Sequence, residues 1–366
     1  MVNRLVALCM PGGQQFVDAI QRAWDDGDAV LPVDQRLPKK AQVDLIGHMG
    51  ASVVLDQSGA SSRDGWPVES DDALVVATSG STGQSKGVVL EHRALIANAE
   101  ATNNFLGVDP VFDKWLACLP LSHVGGFSVI VRALHCGASL EVHDGFEADR
   151  VMSAARGGVT LVSLVPTAMR RIETGLFRKV LVGGSSVPPN RPDNVIATYG
   201  MTETGSGVVY NGYPLENVEL RILEGEVQIR CPMLFRCYRN GDNPITRDGW
   251  YPTGDAGELD SEGVLTVYGR TGDMIITGGE NVWPVTVERI LSKAPDVREC
   301  AVVGRPDPEW GQSVVALIVP GTDRPSLDDL RELVKGSLPT YCAPRSIEFV
   351  EQLPKTSLGK LQRHLL

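Results

Sequence analysis

At 366 residues the chain is longer than a single hydrophobic core ordinarily serves, so one large and one smaller domain are expected. Hydrophobic content of 43% and charged content of 22% are those of a soluble globular protein, and a net charge of −11 without a long run of either sign argues against nucleic acid or an anionic membrane as a partner. The seven cysteines include no C-x-x-C pair, which fits reduced thiols rather than a disulfide framework or a zinc site. With no leader and no apolar stretch of membrane-spanning length, a cytoplasmic protein without membrane insertion is expected.

Phe16, Ile20 and Trp24 fall at helical spacing, so 16–25 is read as an amphipathic helix. Residues 29–34 read as a buried strand, 40–49 as a helix and 52–55 as a short strand, the alternation of an α/β layer. Residues 59–71 are polar, carry no periodicity and are expected to form an exposed connection. The apolar run 73–77 then leads into Thr78-Ser79-Gly80-Ser81-Thr82-Gly83-Gln84-Ser85-Lys86-Gly87, with a helix expected over 91–100, which places this stretch at a strand-to-helix turn. Glycines let a backbone approach a phosphate, hydroxyls and N–H groups donate to its oxygens, and Lys86 supplies charge. The spacing is not that of the common G-x-x-x-x-G-K-[ST] loop, and a flexible Gly/Ser linker is the competing reading.

A strand over 115–119 precedes Pro120-Leu121-Ser122-His123-Val124-Gly125-Gly126-Phe127, where His123 is either a ligand contact or a structural histidine. Residues 128–134 read as a helix carrying Arg132, which reaches an anionic substrate group or, in the favoured reading, covers a helix end. Strands over 159–166, 179–182 and 194–198 follow, with a helix at 168–172. Two of these strands end in Gly183-Gly184-Ser185-Ser186 and in Tyr199-Gly200-Met201-Thr202-Glu203-Thr204. Strand ends converging on one sheet edge are where open α/β folds bind ligands. There an aromatic ring could stack a base and Glu203 could hold a metal, unless the segment is only a solvated turn.

From about 215 to 269 short strands with turn residues between them indicate a small β subdomain, which contains Tyr251-Pro252-Thr253-Gly254-Asp255. Asp255 is ordinary turn chemistry or an acceptor for two ribose hydroxyls. Gly269-Arg270-Thr271-Gly272-Asp273 reads as a hinge, and the remainder is α+β, ending in Pro354-Lys355-Thr356-Ser357-Leu358-Gly359-Lys360. The expected fold is therefore α/β. A large domain of layered α/β sheets with the β subdomain covers 1–271, and a small mobile α+β domain covers 272–366.

As an ordered set, T-S-G-S-T-G-Q-S-K-G, Y-G-M-T-E, Y-P-T-G-D, G-R-T-G-D-M-I-I-T-G-G-E-N-V-W-P and P-K-T-S-L-G-K resemble the adenylate-forming (acyl-CoA synthetase, AMP-binding) superfamily over nearly the whole chain. The resemblance implies a two-step ligation, in which a carboxylate attacks the α-phosphate of ATP and a thiol then displaces AMP. It implies ATP, Mg2+ and coenzyme A as cofactors and co-substrates. It assigns Thr78, Ser79, Gly80, Ser81, Thr82, Gly83 and Lys86 to the β- and γ-phosphates, Glu203 to magnesium, and Thr202 to the α-phosphate. Asp255 and Arg270 go to the ribose, and Tyr199 and Gly200 with Gly183, Gly184 and Ser185 to adenine. His123 goes to the acyl pocket. Lys360 would stabilise the adenylation transition state, after which rotation about the hinge would present Gly278, Gly279 and Trp283 to the thiol. The family usually carries Asp or Lys where this chain has Gly272, which bears on side-chain locking of the pivot.

The family's first subdomain is usually longer, and a face left open by its shortening could be covered in a homodimer. The stretch from Pro120 through Leu140 is similar to that of o-succinylbenzoate-CoA ligases of menaquinone biosynthesis, which makes a small carboxylic acid of that kind the expected substrate. Another aryl or medium-chain acid, a free-standing carrier-loading enzyme and a non-catalytic acyl-adenylate-binding relative are the alternatives.

Overall fold

The computed structural model describes residues 3–79, 85–185, 187–355 and 361–366. By internal contacts the chain divides into two compact units, Met1–Glu219 with Ile229–Tyr251, and Leu220–Gln228 with Pro252–Leu366. The first unit holds two sheets of seven described strands each.

The first sheet runs in the order Cys237–Tyr238, Ser85–Glu91, Asp72–Ser79, Ala29–Pro32, Leu5–Cys9, Val53–Asp56, Gly59–Ser62. Its centre is parallel, with Leu5 opposite Ala29 and Val6 opposite Val53. The strand Leu5–Cys9, fifth in this order, has no period of its own to mark it in the sequence, being a five-residue apolar run. Helix Gln14–Asp25 buries Phe16, Val17, Ala19, Ile20 and Ala23, the spacing that marked it. Leu5, Leu31, Ile46, Met49, Val75 and Val89 form the core beneath this sheet.

Two expectations are corrected here. Residues 59–62 form an edge strand antiparallel to Val53–Asp56 rather than a structureless connection. The hydroxyl-rich stretch lies between two antiparallel strands, Asp72–Ser79 and Ser85–Glu91, and not at a strand-to-helix turn. Val88, Val89 and Leu90 are fully buried β formers that extend pairing to Glu91, so the helix His92–Leu106 starts only after them.

The second sheet runs Tyr213–Pro214, Ser206–Tyr210, Val195–Met201, Lys179–Val182, Leu161–Leu164, Lys114–Ala117, Ser139–Val142. Its five strands from Val195–Met201 to Ser139–Val142 are parallel, over a core of Leu116, Val151, Val162, Leu164, Phe177 and Val180.

In the second unit, a four-stranded sheet orders Glu219–Leu223, Glu226–Arg230, Tyr251–Leu259, Leu265–Arg270. The β subdomain expected within the large domain thus falls mostly in the second compact unit. A five-stranded sheet built on the long hairpin Val297–Asp307 and Gly311–Pro320 packs with helices Pro284–Leu291 and Leu327–Lys335 through Val287, Leu291, Val302, Ala316, Leu330 and Val334. Among the described residues no helix is long and apolar enough to cross a membrane, and all seven cysteines are free thiols.

Candidate active site

The returning strand puts Thr78 opposite Lys86 and Ser79 opposite Ser85. The hydroxyl of Thr78 donates to the Lys86 carbonyl at 3.3 Å, closing the base of the hairpin. Gly80, Ser81, Thr82 and Gly83 lie outside the described residues, as does the side chain of Ser79. Lys86 is exposed, and its ammonium stands 4.7 Å above the ring centroid of Tyr238 on the adjoining strand, where Tyr238 pairs with Val88. The Tyr238 hydroxyl in turn donates to Glu203 Oε1 at 2.9 Å.

Glu203 belongs to the single 3-10 turn Thr202–Thr204 that follows strand Val195–Met201. That turn is fixed twice: the Phe235 N–H donates to the Glu203 carbonyl at 2.8 Å, and the Thr204 hydroxyl donates to the Ser206 carbonyl at 2.7 Å. Lys86 from one sheet and Glu203 from the other are thus joined by one phenol. Tyr238 sits in the unremarkable string Arg236-Cys237-Tyr238-Arg239, which gave no sign of it.

Among the described residues no three His, Cys, Asp or Glu side chains gather as a metal cluster, and no described side chain donates to Glu203 Oε2. One hard carboxylate oxygen left open suits magnesium, which typically takes one or two carboxylates and completes its shell with phosphate oxygens and water.

Gly183 and Gly200 are glycines for steric reasons. A Cβ on Gly183 would meet Thr198 Oγ1 at 2.3 Å, and one on Gly200 would meet the Ser206 carbonyl oxygen at 2.2 Å. The pairing of Val195–Met201 with Ser206–Tyr210 shifts register between Tyr199 and Gly200, so the bulge redirects the chain just before Thr202. Gly184 has φ +83, and Ser185 beside it is exposed. Gly200→Ala is expected to part these strands and cost about 1–3 kcal/mol, seen as a lowered midpoint in chemical denaturation.

In the second unit, Asp255 and Arg270 face each other in antiparallel register, with Arg270 Nε 3.1 Å from Asp255 Oδ1. Arg270 Nη1 also donates to the Thr253 carbonyl at 2.6 Å, and the Glu226 carboxylate accepts from the Gly254 N–H at 2.7 Å. Asp255 is 7% exposed while half of the arginine side chain remains accessible, a pre-aimed acceptor and donor pair. Further along, Gly278 (φ +62) and Gly279 (φ +85) turn the chain between Ile275–Thr277 and Glu280–Val282. Trp310 lies so close that a Cβ on Gly278 would meet its ring at 2.6 Å. Trp283 stacks on Tyr268, centroids 6.0 Å apart, ahead of helix Pro284–Leu291.

His123 immediately precedes helix Val124–Cys136, which is longer than the helix expected over 128–134. Its Nε2 and the neighbouring Ser122 hydroxyl are buried without a hydrogen-bond partner among the described residues. Burial lowers the imidazole's pKa, with Asp34 opposing and Arg36 assisting.

Arg132 does not cover a helix end. It is 1% exposed and points into the core, donating to Ser206 Oγ at 2.8 Å, Ser163 Oγ at 3.2 Å and Asn98 Oδ1 at 3.4 Å. Its Nε has no partner and no carboxylate pairs with it among the described residues; burial lowers its pKa.

Lys360 lies outside the described residues. The chain on either side of its segment is pinned: Lys355 and Leu361 form an antiparallel bridge, and the Gln362 N–H donates to the Pro354 carbonyl at 2.9 Å.

Residues 58–238 match the model of the AMP-binding enzyme family, and 286–360 that of the AMP-binding enzyme C-terminal domain. The chain is 38% identical over 332 residues to a Mycobacterium tuberculosis protein named as a probable 2-succinylbenzoate–CoA ligase, across 83% of this chain and 86% of that one. It belongs to the AMP-binding enzyme family. A protein of Enterococcus faecalis named 2-succinylbenzoate–CoA ligase is 32% identical over 333 residues, or 80% of this chain and 68% of that one.

Among solved structures of such enzymes, the o-succinylbenzoate CoA synthetase of Bacillus subtilis with the acyl-adenylate intermediate OSB-AMP matches with a TM-score of 0.87. That match is 26% identical and covers 99% of this chain and 87% of the other. The same enzyme with ATP and magnesium ion matches at 0.88 and 25% identity, over 99% and 89%. The layered α/β architecture followed by a small C-terminal domain is the one expected from the motifs. Like these relatives, the chain is an AMP-forming acid–thiol ligase.

Proposed function

We propose that this enzyme joins 2-succinylbenzoate to coenzyme A with ATP and magnesium, through an acyl-adenylate, as a cytoplasmic step of menaquinone biosynthesis. In the first half-reaction a substrate carboxylate oxygen bonds to the α-phosphorus and the bond to pyrophosphate breaks. In the second, the coenzyme A sulfur bonds to the acyl carbon and AMP leaves. The difficulty of the first step is bringing an anion to a polyanion, so catalysis needs preorganised cations and donors.

Lys86 supplies one such charge, held over Tyr238. Glu203 would hold magnesium, which neutralises phosphate charge when bound. Thr202, at the start of the same turn, would contact the α-phosphate. The Asp255–Arg270 pair would accept from and donate to the ribose, Tyr199 and Gly200 with Gly183, Gly184 and Ser185 would border adenine, and Lys360 would serve the adenylation transition state. Residues 269–273 would then act as a hinge between half-reactions.

The observation that carries the choice of acid is Arg132. It is a buried guanidinium with no paired carboxylate among the described residues, ringed by Ser163, Asn98 and the partly accessible Ser206. A succinylbenzoate retains a second carboxylate after the first is activated, and this cation would face that charge through Ser206. His123 Nε2 and Ser122 are uncommitted donors or acceptors for the same acyl group.

ATP–pyrophosphate exchange over a panel of acids tests this. Exchange highest with 2-succinylbenzoate supports it; preference for a monocarboxylic aryl acid overturns the substrate. Thioester formation only on a carrier protein favours a loading enzyme, and no exchange with any acid favours a non-catalytic binder. Arg132→Met is expected to reduce exchange with 2-succinylbenzoate by about 10–100-fold relative to monocarboxylic acids, the worth of one buried charge-assisted contact.

A further inference from the structure

The phosphate and magnesium assignments rest on Lys86, on a strand of the first sheet, and Glu203, on the turn after a strand of the second, which share a neighbour. Tyr238 lies between them. Its hydroxyl donates to one oxygen of Glu203 at 2.9 Å, and its ring lies 4.7 Å beneath the Lys86 ammonium. The ring is itself wedged: Phe235 packs on it with centroids 4.9 Å apart, Phe235 packs in turn on Tyr251 at 5.5 Å, and the Tyr238 N–H donates to the Asp242 carbonyl at 2.8 Å.

We infer that Tyr238 is the positioning residue of the phosphate–magnesium site. Its hydroxyl aims the Glu203 carboxylate so that one oxygen is held and the other is presented to the ion, while its π face steadies Lys86. The inference rests on the phosphate and magnesium roles proposed above.

A glutamate side chain on a short turn has several rotors, and only one orientation presents Oε2 outward. A single phenolic donor on Oε1 selects that orientation, as outer-shell partners do for metal-binding carboxylates generally. The exposed Lys86 has no carboxylate partner among the described residues, so the face of an aromatic ring is what restrains it without neutralising the charge a phosphate needs. The two contacts use different parts of one side chain and can be separated: phenylalanine keeps the ring and removes the hydroxyl, and leucine removes both.

The test is equilibrium binding of ATP to the whole chain by calorimetry, in EDTA and in saturating magnesium, for the unaltered protein, Tyr238→Phe and Tyr238→Leu. In Tyr238→Phe the Kd in EDTA is expected to stay within about twofold of the unaltered protein, while the tightening caused by magnesium shrinks by about tenfold. In Tyr238→Leu the EDTA Kd should also weaken, by about two- to fivefold, from loss of the cation–π contact.

Full magnesium-linked tightening in Tyr238→Phe would overturn the inference. So would equal weakening with and without magnesium, the mark of a residue that merely packs. If the unaltered protein binds ATP no better with magnesium than without it, the magnesium assignment of Glu203 fails instead. Should Tyr238→Leu not fold, Tyr238→Phe carries the test alone.

Discussion

Lys360→Ala is expected to lower ATP–pyrophosphate exchange by about 10²–10³-fold, while thioester formation from supplied acyl-adenylate and coenzyme A changes by less than about threefold. In the first half-reaction negative charge builds on the non-bridging and leaving oxygens of the α-phosphoryl group, and removing one preorganised donor at such a centre has a cost of this size. In the second the phosphate departs as part of AMP, and rotation about the proposed hinge at residues 269–273 would withdraw the lysine from it. The two rates are measured separately, one with labelled pyrophosphate and one with synthetic adenylate. Equal loss of both would remove Lys360 from its assigned role and leave it a structural residue of the second unit. On either side of the segment that contains Lys360, the described chain is fastened by the bridge between Lys355 and Leu361 and by the 2.6 Å ion pair of Lys355 with Glu299.

What the sequence made legible was chemistry written in consecutive residues. Glu203 in Tyr-Gly-Met-Thr-Glu and Asp255 in Tyr-Pro-Thr-Gly-Asp stand out because turn glycines, hydroxyls and a carboxylate cluster locally. The helix Gln14–Asp25, with its clean periodicity, was equally open to reading. What stayed hidden was chemistry made by pairing.

Asp255 and Arg270 each had a motif, yet that they form one ion pair follows from cross-strand register, which no local string displays. Tyr238 acquires its role only because a two-residue strand lies beside Ser85–Glu91. Arg132 read as a helix-end cation since its helical neighbours are apolar; its true partners, Asn98, Ser163 and Ser206, come from three other segments. The hairpin at 79–85 was misjudged because the valines after Gly87 were too few to show a strand period before the helix began.

Arg363→Met is expected to destabilise the second unit by about 1–3 kcal/mol at neutral pH, the usual cost of leaving a mostly buried carboxylate without its partner. Arg363 Nη2 lies 2.7 Å from both oxygens of Glu288, its Nη1 donates to the Val302 carbonyl at 3.0 Å, and its Nε stands 3.3 Å from Asp273. One guanidinium therefore ties helix Pro284–Leu291, strand Val297–Asp307 and the Thr271–Asp273 turn to the last residues of the chain. Burial raises the Glu288 carboxyl above its ordinary pKa, with Arg363 and the Val302 N–H opposing and Asp273 adding to the rise.

Without Arg363 that carboxylate would be buried unpaired and its pKa would climb further. A carboxyl whose folded pKa lies above its unfolded value favours the fold below the unfolded value, near 4.5, and loses that contribution as pH rises through the folded one. The deficit of Arg363→Met relative to the unaltered protein should accordingly be largest at pH 7–8 and shrink toward pH 5. Glu288→Gln should cost less, because it keeps an acceptor for the Val302 N–H, 2.7 Å from Glu288 Oε1, and removes the charge that burial disfavours. Denaturant titrations of the three proteins at several pH values measure this. A deficit independent of pH, or a glutamine variant weaker than the methionine one, would show that Arg363 acts through packing alone and not as the counter-charge of Glu288.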